Sequence, residues 1–489
     1  MMPTLDISLW QFLLMVLEYG IKFVMIGVVP SNRRPSSANA WLLLILLLPV
    51  VGLPLYLMMG SNYVSRRRHG IQQRAIAELN NIHLGVDDYP AGELDSPETE
   101  AIVRLNRRLT GFPAVHGRAR HLWSDYDRTM ARIAELIDSA EDYVDIEIYA
   151  VAWDDTTDPV FRAMQRAVGR GVHVRLLYDH IGSLKYPGYR RLRKRLTAIG
   201  VDFHRMLPLD VFHGRWRRPD LRNHRKVIIV DGRVGFLGSI NLIDRSYLLR
   251  KHRSAGRQWV DAFVELEGPI VASLESMFAV DWFTESGEVI ELEPPSAPDE
   301  GCSSVVQLVP SGPGYQAEPN LRMFNTLVHH ANEHIILCSP YFVPDDTLLE
   351  AITTACFRGV RVDLLVGERS DQFMVQHAQS AYYQQLLEAG VRIWEFPAPY
   401  VLHTKFALAD PGRSSCVGVI GSSNMDMRSF TLNYESSLFV CDGPLLDDVH
   451  ALSRAYLSVS RQLTLERWAR RPWHRRYIDN VMKLTSALQ

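Results

Sequence analysis

Two long apolar stretches open the chain. They cover residues 7–29 and 40–59, with 23 and 20 residues, and about 20 apolar residues are enough to cross the hydrocarbon core of a bilayer. The pattern predicts two spanning helices joined by a tight turn over residues 30–39. Glu18 and Lys22 lie four apart in the first stretch and meet on one helix face. An interfacial or re-entrant helix is the alternative for that stretch.

Further along the chain, short apolar runs alternate with segments of helical periodicity. This order begins at residue 143 and recurs from residue 334, which indicates an internal duplication with a largely parallel sheet. We therefore predict an α/β fold of two tandem α/β/α repeats related by a pseudo-two-fold axis, preceded by a transmembrane helical hairpin. The predicted units are a membrane hairpin (1–70), a connecting segment (71–135), a first repeat (136–285), a linker (286–303) and a second repeat with a basic C-terminal tail (304–489).

Each repeat contains the same signature, a histidine, a lysine two residues later, an aspartate, and then a Gly-Ser-x-Asn group. The first copy places these side chains at His224, Lys226, Asp231, Gly238, Ser239 and Asn241. The second copy places them at His403, Lys405, Asp410, Gly421, Ser422 and Asn424. An acidic residue, Asp261 or Glu435, follows each copy and precedes a Gly-Pro pair.

The His-x-Lys pair suits chemistry at a phosphodiester. On a strand, residues two apart share a face, so the imidazole and the ammonium point into one space. The lysine holds a non-bridging oxygen, while the histidine attacks phosphorus or protonates the leaving oxygen. Four neutral side chains are predicted to bind the remaining phosphate oxygens: Ser239, Asn241, Ser422 and Asn424. Two copies supply both a nucleophile and an acid.

The four carboxylates receive two different predicted roles. Asp231 and Asp410 lie seven residues after their histidines, an odd separation that turns them to the opposite face of a regular strand, so a structural ion pair is predicted. Asp261 and Glu435 are the candidates to accept a hydrogen bond from the far nitrogen of each imidazole and fix its tautomer.

Charge is distributed unevenly along the chain. The net charge is −2, but residues 1–70 carry +4 and the remainder −6, which argues against a nucleic-acid binder. Residues 215–226 contain six cations and are either a solvated surface or a cradle for an anionic head group. Residues 461–483 are either a solvated helix face or a membrane-surface contact. The five cysteines show no disulfide or zinc spacing, so no metal or other cofactor is predicted.

The duplicated H-x-K-x4-D and G-S-x-N pattern resembles the phospholipase D superfamily. Together with the N-terminal apolar pair and the segments PYFVPDDTLLEAI and SFTLNYE, it resembles the bacterial cardiolipin synthase family within it. The resemblance implies a metal-independent transferase that converts two phosphatidylglycerol molecules into cardiolipin and glycerol through a phosphatidyl-histidine. It implies that the catalytic set comprises His224, Lys226, Asp231, His403, Lys405 and Asp410, with Asn241 and Asn424 closing each signature. The implied partners are phosphatidylglycerol and anionic membrane lipids, not nucleic acid.

Three alternatives remain open. A hydrolase of the same chemistry would release phosphatidic acid, a nuclease would cleave a nucleic-acid phosphodiester, and a membrane scaffold would carry a decayed site. The location expected is the bacterial inner (plasma) membrane, multi-pass, with a cytoplasmic body, because Arg66, Arg67 and Arg68 outnumber Arg33 and Arg34.

Overall fold

The computed structural model describes residues 8–31, 35–60, 70–71, 73–74, 77, 86–90, 94, 96–210, 215–216, 218–292, 301–315 and 317–484, with backbone alone at 36, 210, 215 and 216. Five arginines of the membrane-end charge count (33, 34, 66, 67 and 68) lie outside the described residues, as do residues 293–300 of the predicted linker.

The N-terminal apolar region contains three helices. They are α1 (Leu9–Val28), α2 (Pro35–Leu47) and α3 (Pro49–Leu55), and a π-helical turn (Tyr56–Gly60) continues α3. The side chain of Ser8 caps α1, and Gln11 reaches back to complete a capping box. Only 6% of the apolar window of α1 is buried, so α1 is not the core helix of a folded domain. Lys22 and Glu18 form the expected ion pair, at 2.5 Å.

The second predicted span is wrong as a single helix. Residues 40–59 break at Leu48, which has φ −132° and ψ 67°, between α2 and α3. The physical reason is Pro49, because its ring clashes with the preceding turn and it has no N–H to donate. Within the described ranges, α1 alone is long and apolar enough to cross a membrane.

The first half of the body alternates strands and helices. Its strands are β1 (Ala114–Trp123), β2 (Tyr143–Ile148), β3 (His173–Asp179), β4 (Asp202–Met206), β5 (Leu209–Asp210), β6 (Arg215–Trp216), β7 (Arg222–Asn223), β8 (Val227–Val230), β9 (Val234–Gly238), β10 (Gln258–Val260) and β11 (Phe263–Glu267). Its helices are α4 (Pro97–Thr110), α5 (Tyr126–Ser139), α6 (Asp158–Gly169), α7 (His180–Leu184), α8 (Tyr189–Ala198), α9 (Arg250–Ser254) and α10 (Ile270–Ser286).

The second half repeats this order and ends in additional helices. Its strands are β12 (Ser304–Ser311), β13 (His334–Cys338), β14 (Phe342–Val343), β15 (Arg361–Gly367), β16 (Arg392–Phe396), β17 (Tyr400–Leu402), β18 (Phe406–Ala409), β19 (Val417–Gly421), β20 (Met425–Asp426), β21 (Asn433–Asp442) and β22 (Arg461–Leu463). Its helices are α11 (Pro319–His330), α12 (Asp346–Phe357), α13 (Phe373–Ala389), α14 (Met427–Thr431), α15 (Pro444–Val459), α16 (Leu465–Ala469) and α17 (Trp473–Lys483).

One sheet runs through both halves. The first half contributes the order β4-β3-β2-β8-β9-β11-β1, and the second half contributes β16-β15-β13-β18-β19-β21-β12, with β22 at its edge. β1 and β12 pair antiparallel and join the halves. The expectation of a largely parallel sheet is wrong, because most of its described strand pairs are antiparallel. The parallel pairs are β2-β3-β4, β13-β15-β16 and the short pair β7-β21. The signature strands return as antiparallel hairpins, which need no helical crossover.

The helices that follow the two Gly-Pro pairs cover one face of this sheet across the junction. Helix α10 starts directly after Pro269, and α15 starts at Pro444. Buried side chains from both helices, such as Trp282 and Tyr456, belong to one hydrophobic cluster that includes strand residues of both halves. The two repeats therefore share part of their core.

The glycine of each Gly-Ser-x-Asn group ends a strand that lies very close to its neighbour. A Cβ on Gly421 would lie 2.3 Å from the carbonyl oxygen of Ser436, and a Cβ on Gly238 would lie 2.3 Å from that of Ala262.

We expect Gly421→Ala to destabilise the fold by about 1–3 kcal/mol, because β19 must move away from β21. Gly169→Ala is the matched control, since nothing lies within 4 Å of the added carbon. Thermal unfolding in detergent measures both, and equal unfolding temperatures would contradict the prediction.

Candidate active site

Both His-x-Lys segments lie where the chain leaves a short ladder and enters the large sheet. His224 lies between β7 and β8, and His403 lies between β17 and β18. The short ladders join the two halves, because β7 pairs in parallel with β21 and β10 pairs in parallel with β17. The backbone N–H of His224 donates to Tyr434 (2.8 Å), and that of His403 donates to Val260 (2.8 Å). The signatures are thus anchored to the opposite half instead of lying on one regular strand.

Each imidazole contacts a carboxylate of the other half. Nδ1 of His403 is 2.6 Å from Oδ1 of Asp261, and Nδ1 of His224 is 3.2 Å from Oε1 of Glu435. The sequence suggested these carboxylates but not the crossed pairing. With Nδ1 facing a carboxylate, Nε2 is the nitrogen that can meet a substrate.

The two lysines are buried among these groups. Lys226 and Lys405 are 0% and 2% exposed, and the Nζ of each donates to the backbone carbonyl of its own histidine. Burial lowers the pKa of Lys226 to about 8 and that of Lys405 to about 7, although Asp261 and Glu435 oppose the shift. Both ammonium groups therefore interact with the two carboxylates that contact the histidines.

Both imidazoles have a lowered pKa, which favours their neutral form. Burial, and then the charge of Lys226, lowers the pKa of His224 to about 4. Burial and Lys405 likewise lower the pKa of His403 below its usual 6.5. Burial opposes ionisation of Asp261 and Glu435, but contact with the histidines and lysines keeps the pKa of each carboxyl below its usual value.

The serines and one asparagine of the signatures are engaged with the protein itself. Ser422 donates to Oε2 of Glu435 (2.6 Å) and accepts the N–H of Ser436 (2.9 Å). Ser239 accepts the N–H of Ala262 (3.0 Å). The amide of Asn241 donates to the hydroxyl of Tyr247 (2.6 Å), and its oxygen accepts the N–H of Ala150 (3.0 Å). These contacts support the carboxylates and the adjacent loops, in contrast to the predicted role as free donors to phosphate.

Asn424 differs from its counterpart Asn241. It is 2% exposed, and its Oδ1 has no hydrogen-bond partner among the described residues. Among the serines and asparagines of the two Gly-Ser-x-Asn groups, Asn424 is therefore the residue whose side-chain oxygen lacks a hydrogen-bond partner in the described part of the chain.

Asp231 and Asp410 lie at the far ends of β8 and β18 from the lysines, so the catalytic role implied for them is not supported by their placement. Asp231 accepts the N–H groups of residues 141, 142 and 143, and Asp410 those of residues 332, 333 and 334. The predicted ion pairs are also wrong, because backbone donors take that place. Both residues have positive φ, 50° and 51°, which aspartate tolerates better than most residues. Each carboxylate fixes the start of a parallel strand.

The basic stretch around His224, residues 215–226, is neither a solvated surface nor an open cradle where it is described. Arg218, Arg222 and Arg225 are all buried. Their guanidinium groups pair with Asp220, Asp179 and Asp281, respectively. The side chains of Arg215 and Arg217 lie outside the described residues. Both interpretations of the described arginines are wrong, because each guanidinium is buried against an aspartate, Asp220 within the stretch itself and Asp179 and Asp281 from other elements.

Two tyrosines beside the histidines were missed from the sequence. The Tyr149 ring stands edge-on to His224 with centroids 4.4 Å apart, and Nζ of Lys226 lies 5.2 Å from its centre. The Tyr247 ring lies 6.4 Å from that of His403. Tyr149 directly follows Ile148, the last residue of β2, and the carboxyl ends of parallel strands commonly carry site residues, so that position was the available signal.

No metal centre is apparent in the described part of the chain: no group of three or more His, Cys, Asp and Glu side chains is close enough to hold an ion. The five cysteines are free thiols.

Comparison with known proteins identifies relatives along nearly the whole chain. The family model described as "Cardiolipin synthase, PLD-like domain" matches residues 133–282 and 325–454, and a "Phospholipase_D-nuclease N-terminal" model matches residues 22–60. Cardiolipin synthase A of Klebsiella pneumoniae (strain 342) is 32% identical over 97% of this chain and 98% of its own length. Cardiolipin synthase A of Yersinia pseudotuberculosis is 34% identical over 92% of this chain and 93% of its own.

A solved structure shares the fold at low sequence identity. Phosphatidylserine synthase of Haemophilus influenzae superposes with a TM-score of 0.58 at 15% identity, over 79% of this chain and 99% of that one. The likeness supports the tandem α/β architecture.

The buried ion pair of Arg225 and Asp281 is expected to contribute strongly to the stability of the fold. We expect Arg225→Met to cost about 3–5 kcal/mol, because Asp281 is left charged and buried without its cation. The double variant Arg225→Met/Asp281→Leu should recover most of that loss. Arg233→Met is the control, since Arg233 pairs with Glu141 at the surface and exposed pairs contribute at most about 1 kcal/mol. Denaturant unfolding of the four proteins checks this, and equal losses for Arg225→Met and Arg233→Met would contradict it.

Proposed function

This chain belongs to the cardiolipin synthase family of phospholipase D-like proteins, and we propose that it transfers a phosphatidyl group from one phosphatidylglycerol molecule to another, forming cardiolipin and glycerol. The observation that carries the proposal is the crossed arrangement of two imidazoles and two carboxylates around two buried lysines. This set provides one nucleophile, one acid and two cations for a phosphodiester, as displacement through a covalent intermediate requires.

In the first step, Nε2 of one histidine forms a bond to phosphorus while the bond from phosphorus to the glycerol oxygen breaks. The second histidine gives its Nε2 proton to that oxygen, and glycerol leaves. Lys226 and Lys405 balance the charge that develops on the non-bridging oxygens. In a buried site such charges interact more strongly than in water.

In the second step, the head-group hydroxyl of another phosphatidylglycerol gives its proton to the second histidine. Its oxygen bonds to phosphorus, and the bond between phosphorus and nitrogen breaks. The enzyme returns to its starting state with no net gain or loss of protons, and the mechanism needs no metal or other cofactor.

The two histidine environments support a division of roles. His403 has the tighter carboxylate contact, 2.6 Å to Asp261, which stabilises an imidazolium and suits the acid. His224 has the longer contact, 3.2 Å to Glu435, and a pKa lowered to about 4, which suits a neutral nucleophile. We therefore assign His224 to the phosphatidyl-histidine and His403 to proton transfer.

The burial of the site supports transfer over hydrolysis. The side chains of His224 and His403 are only 13% and 9% exposed, which limits the access of bulk water to an intermediate. The net negative charge of the body argues against a nucleic-acid partner. We place the protein in the bacterial plasma membrane through α1, with the body on the cytoplasmic side.

Product analysis tests the proposed reaction. The full-length protein in detergent is incubated with phosphatidylglycerol vesicles and EDTA, and lipids and free glycerol are quantified. Cardiolipin and glycerol in equal amounts are expected. Phosphatidic acid without cardiolipin would identify a hydrolase, and loss of activity in EDTA that a defined metal restores would contradict the metal-free mechanism. The double variant His224→Ala/His403→Ala measures the background.

Trapping the intermediate tests the assignment of the histidines. With a phosphatidyl ester of p-nitrophenol, whose leaving group needs no proton, His403→Ala should still be labelled on His224, slowly, whereas His224→Ala should not be labelled. Mass spectrometry locates the adduct. An adduct on His403 in a protein that retains His224 would reverse the assignment.

Substitution of the two carboxylates tests the crossed pairing by the same labelling experiment. Because Asp261 acts through His403, Asp261→Asn should retain labelling of His224 by the same ester. Glu435→Gln should slow labelling about 10- to 100-fold, in the range seen when a group that orients a histidine is removed. Pairing within each half would give the opposite result.

The pH dependence of kcat/KM follows from the pKa shifts. His224 must be neutral, and with a pKa of about 4 it remains so far into the acid range. As pH rises, His403 loses the proton it must donate, from below pH 6.5, and Lys405 and Lys226 then lose charge near pH 7 and 8. We expect a maximum below pH 6.5. Initial rates with short-chain phosphatidylglycerol at a series of pH values check this. Lys405→Arg should make the fall in rate above pH 7 less steep, and a maximum above pH 8 would contradict the roles given to His403 and the lysines.

A further inference from the structure

The apolar residues after α1 fold back on themselves. The rings of Trp41 in α2 and Tyr56 after α3 lie 5.7 Å apart, edge to face. In one continuous helix, residues fifteen positions apart would be about 22 Å apart. A Cβ on Gly52 would lie 2.7 Å from the carbonyl oxygen of Leu44 and 2.8 Å from Cα of Ile45. The backbones of α2 and α3 are therefore in direct contact, which only glycine permits at this position.

The turn of this helical hairpin is apolar and exposed. Its exposed side chains are Leu47, Leu48, Val50 and Val51, a composition unsuited to a loop in water. The open end is polar, because Ser37 and Asn39 lie near the start of α2, and Ser61 and Asn62 follow Gly60 in the sequence. The turn at residues 47–51 therefore has the composition of a lipid-embedded segment, and the open end has that of a segment at the membrane–water interface.

The backbone of the turn is also suited to lipid. The N–H of Leu48 donates to the carbonyl of Leu44. The N–H groups of Val51 and Gly52 both donate to the carbonyl of Leu48, and Pro49 has no N–H. Non-helical backbone is costly in hydrocarbon when its polar groups are unpaired, and this turn pairs most of its donors.

Length decides how deep the hairpin can reach. α1 has 20 residues, about 30 Å, which matches the hydrocarbon core. α2 has 13 residues, and α3 with the π-helical turn has 12, so each arm measures about 18–20 Å. We propose that residues 35–60 form a wedge that enters and leaves one side of the bilayer, so that the chain crosses the membrane once, through α1.

The distribution of arginines independently favours a single crossing. With a wedge, the segments at 32–34 and 61–69 lie on the same side, which collects Arg33, Arg34 and residues 66–68. Residues 1–8, on the other side, contain Asp6 and no Lys or Arg. Two full spans would instead place Arg33 and Arg34 across the membrane from residues 66–68, against the positive-inside rule.

Cysteine accessibility in right-side-out and inside-out membrane vesicles tests the crossing number. Thr4→Cys, Asn32→Cys and Ser486→Cys are made singly in the full chain and treated with a membrane-impermeant maleimide, with the parent chain as background. We expect Asn32→Cys and Ser486→Cys to react from the same side and Thr4→Cys from the opposite side. Reaction of Thr4→Cys and Ser486→Cys together, with Asn32→Cys opposite, would establish two spans and overturn the proposal. Reaction of all three from one side would also overturn it.

Cross-linking tests the fold of the wedge separately. Trp41→Cys/Tyr56→Cys should be joined by a bismaleimide with a reach of about 8 Å. Trp10→Cys/Met25→Cys, with the same separation inside the continuous α1, should not be joined, because the two positions are about 22 Å apart. If neither pair is cross-linked although both cysteines of each pair can be alkylated, positions 41 and 56 lie far apart, as in one continuous helix. That result would refute the wedge.

Discussion

The contact of each histidine with a carboxylate of the opposite half is the constraint on which the rest of the structure depends. An imidazole in a buried site needs a partner at Nδ1 to fix its tautomer, and neither repeat provides that partner to its own histidine. The halves must therefore meet in register, and several elements secure this. The ladders β7–β21 and β10–β17 align the residues before each signature histidine with the residues just before the opposite carboxylate. The pairing of β1 with β12 makes the two half-sheets one sheet.

Burial of the whole charged set follows from the same arrangement. An isolated buried ammonium or carboxylate is costly, yet Lys226, Lys405, Asp261 and Glu435 are all buried. Their burial is tolerated because each charged group lies near opposite charges that include one from the other half. Removal of one of them would leave another buried charge without compensation. The field that a phosphodiester anion meets is therefore present before it binds and requires little reorganisation in the reaction. Burial lowers the lysine pKa values against the opposing effect of the two carboxylates, which ties the charge balance of the site to pH.

Local and periodic features of the site were predictable from the sequence, and long-range pairings were not. The repeat, most of its strands and the two His-x-Lys pairs are encoded in short segments. The exchange of Asp261 and Glu435 depends on how the halves dock, which the pattern of one segment does not contain. The same holds for Arg222, whose partner Asp179 is 43 residues away, and for the antiparallel return of β8 and β18. The break at Leu48 has a different cause, because the length and apolar character of residues 40–59 do not reflect that Pro49 lacks an N–H and clashes with the preceding turn.

The duplication supplies equivalent backbones, and differences between side chains then separate the roles of its two copies. Val151 bridges to Leu242, and Phe342 pairs with Met425, and each partner directly follows the asparagine of its signature. By this register, Tyr149 corresponds to Pro340, so the first histidine alone has a tyrosine ring at that position. Together with the unequal carboxylate contacts, this makes the two histidines chemically distinct. The difference biases which imidazole acts as nucleophile before substrate binds, whereas two identical imidazoles would take their roles from the orientation of the substrate alone.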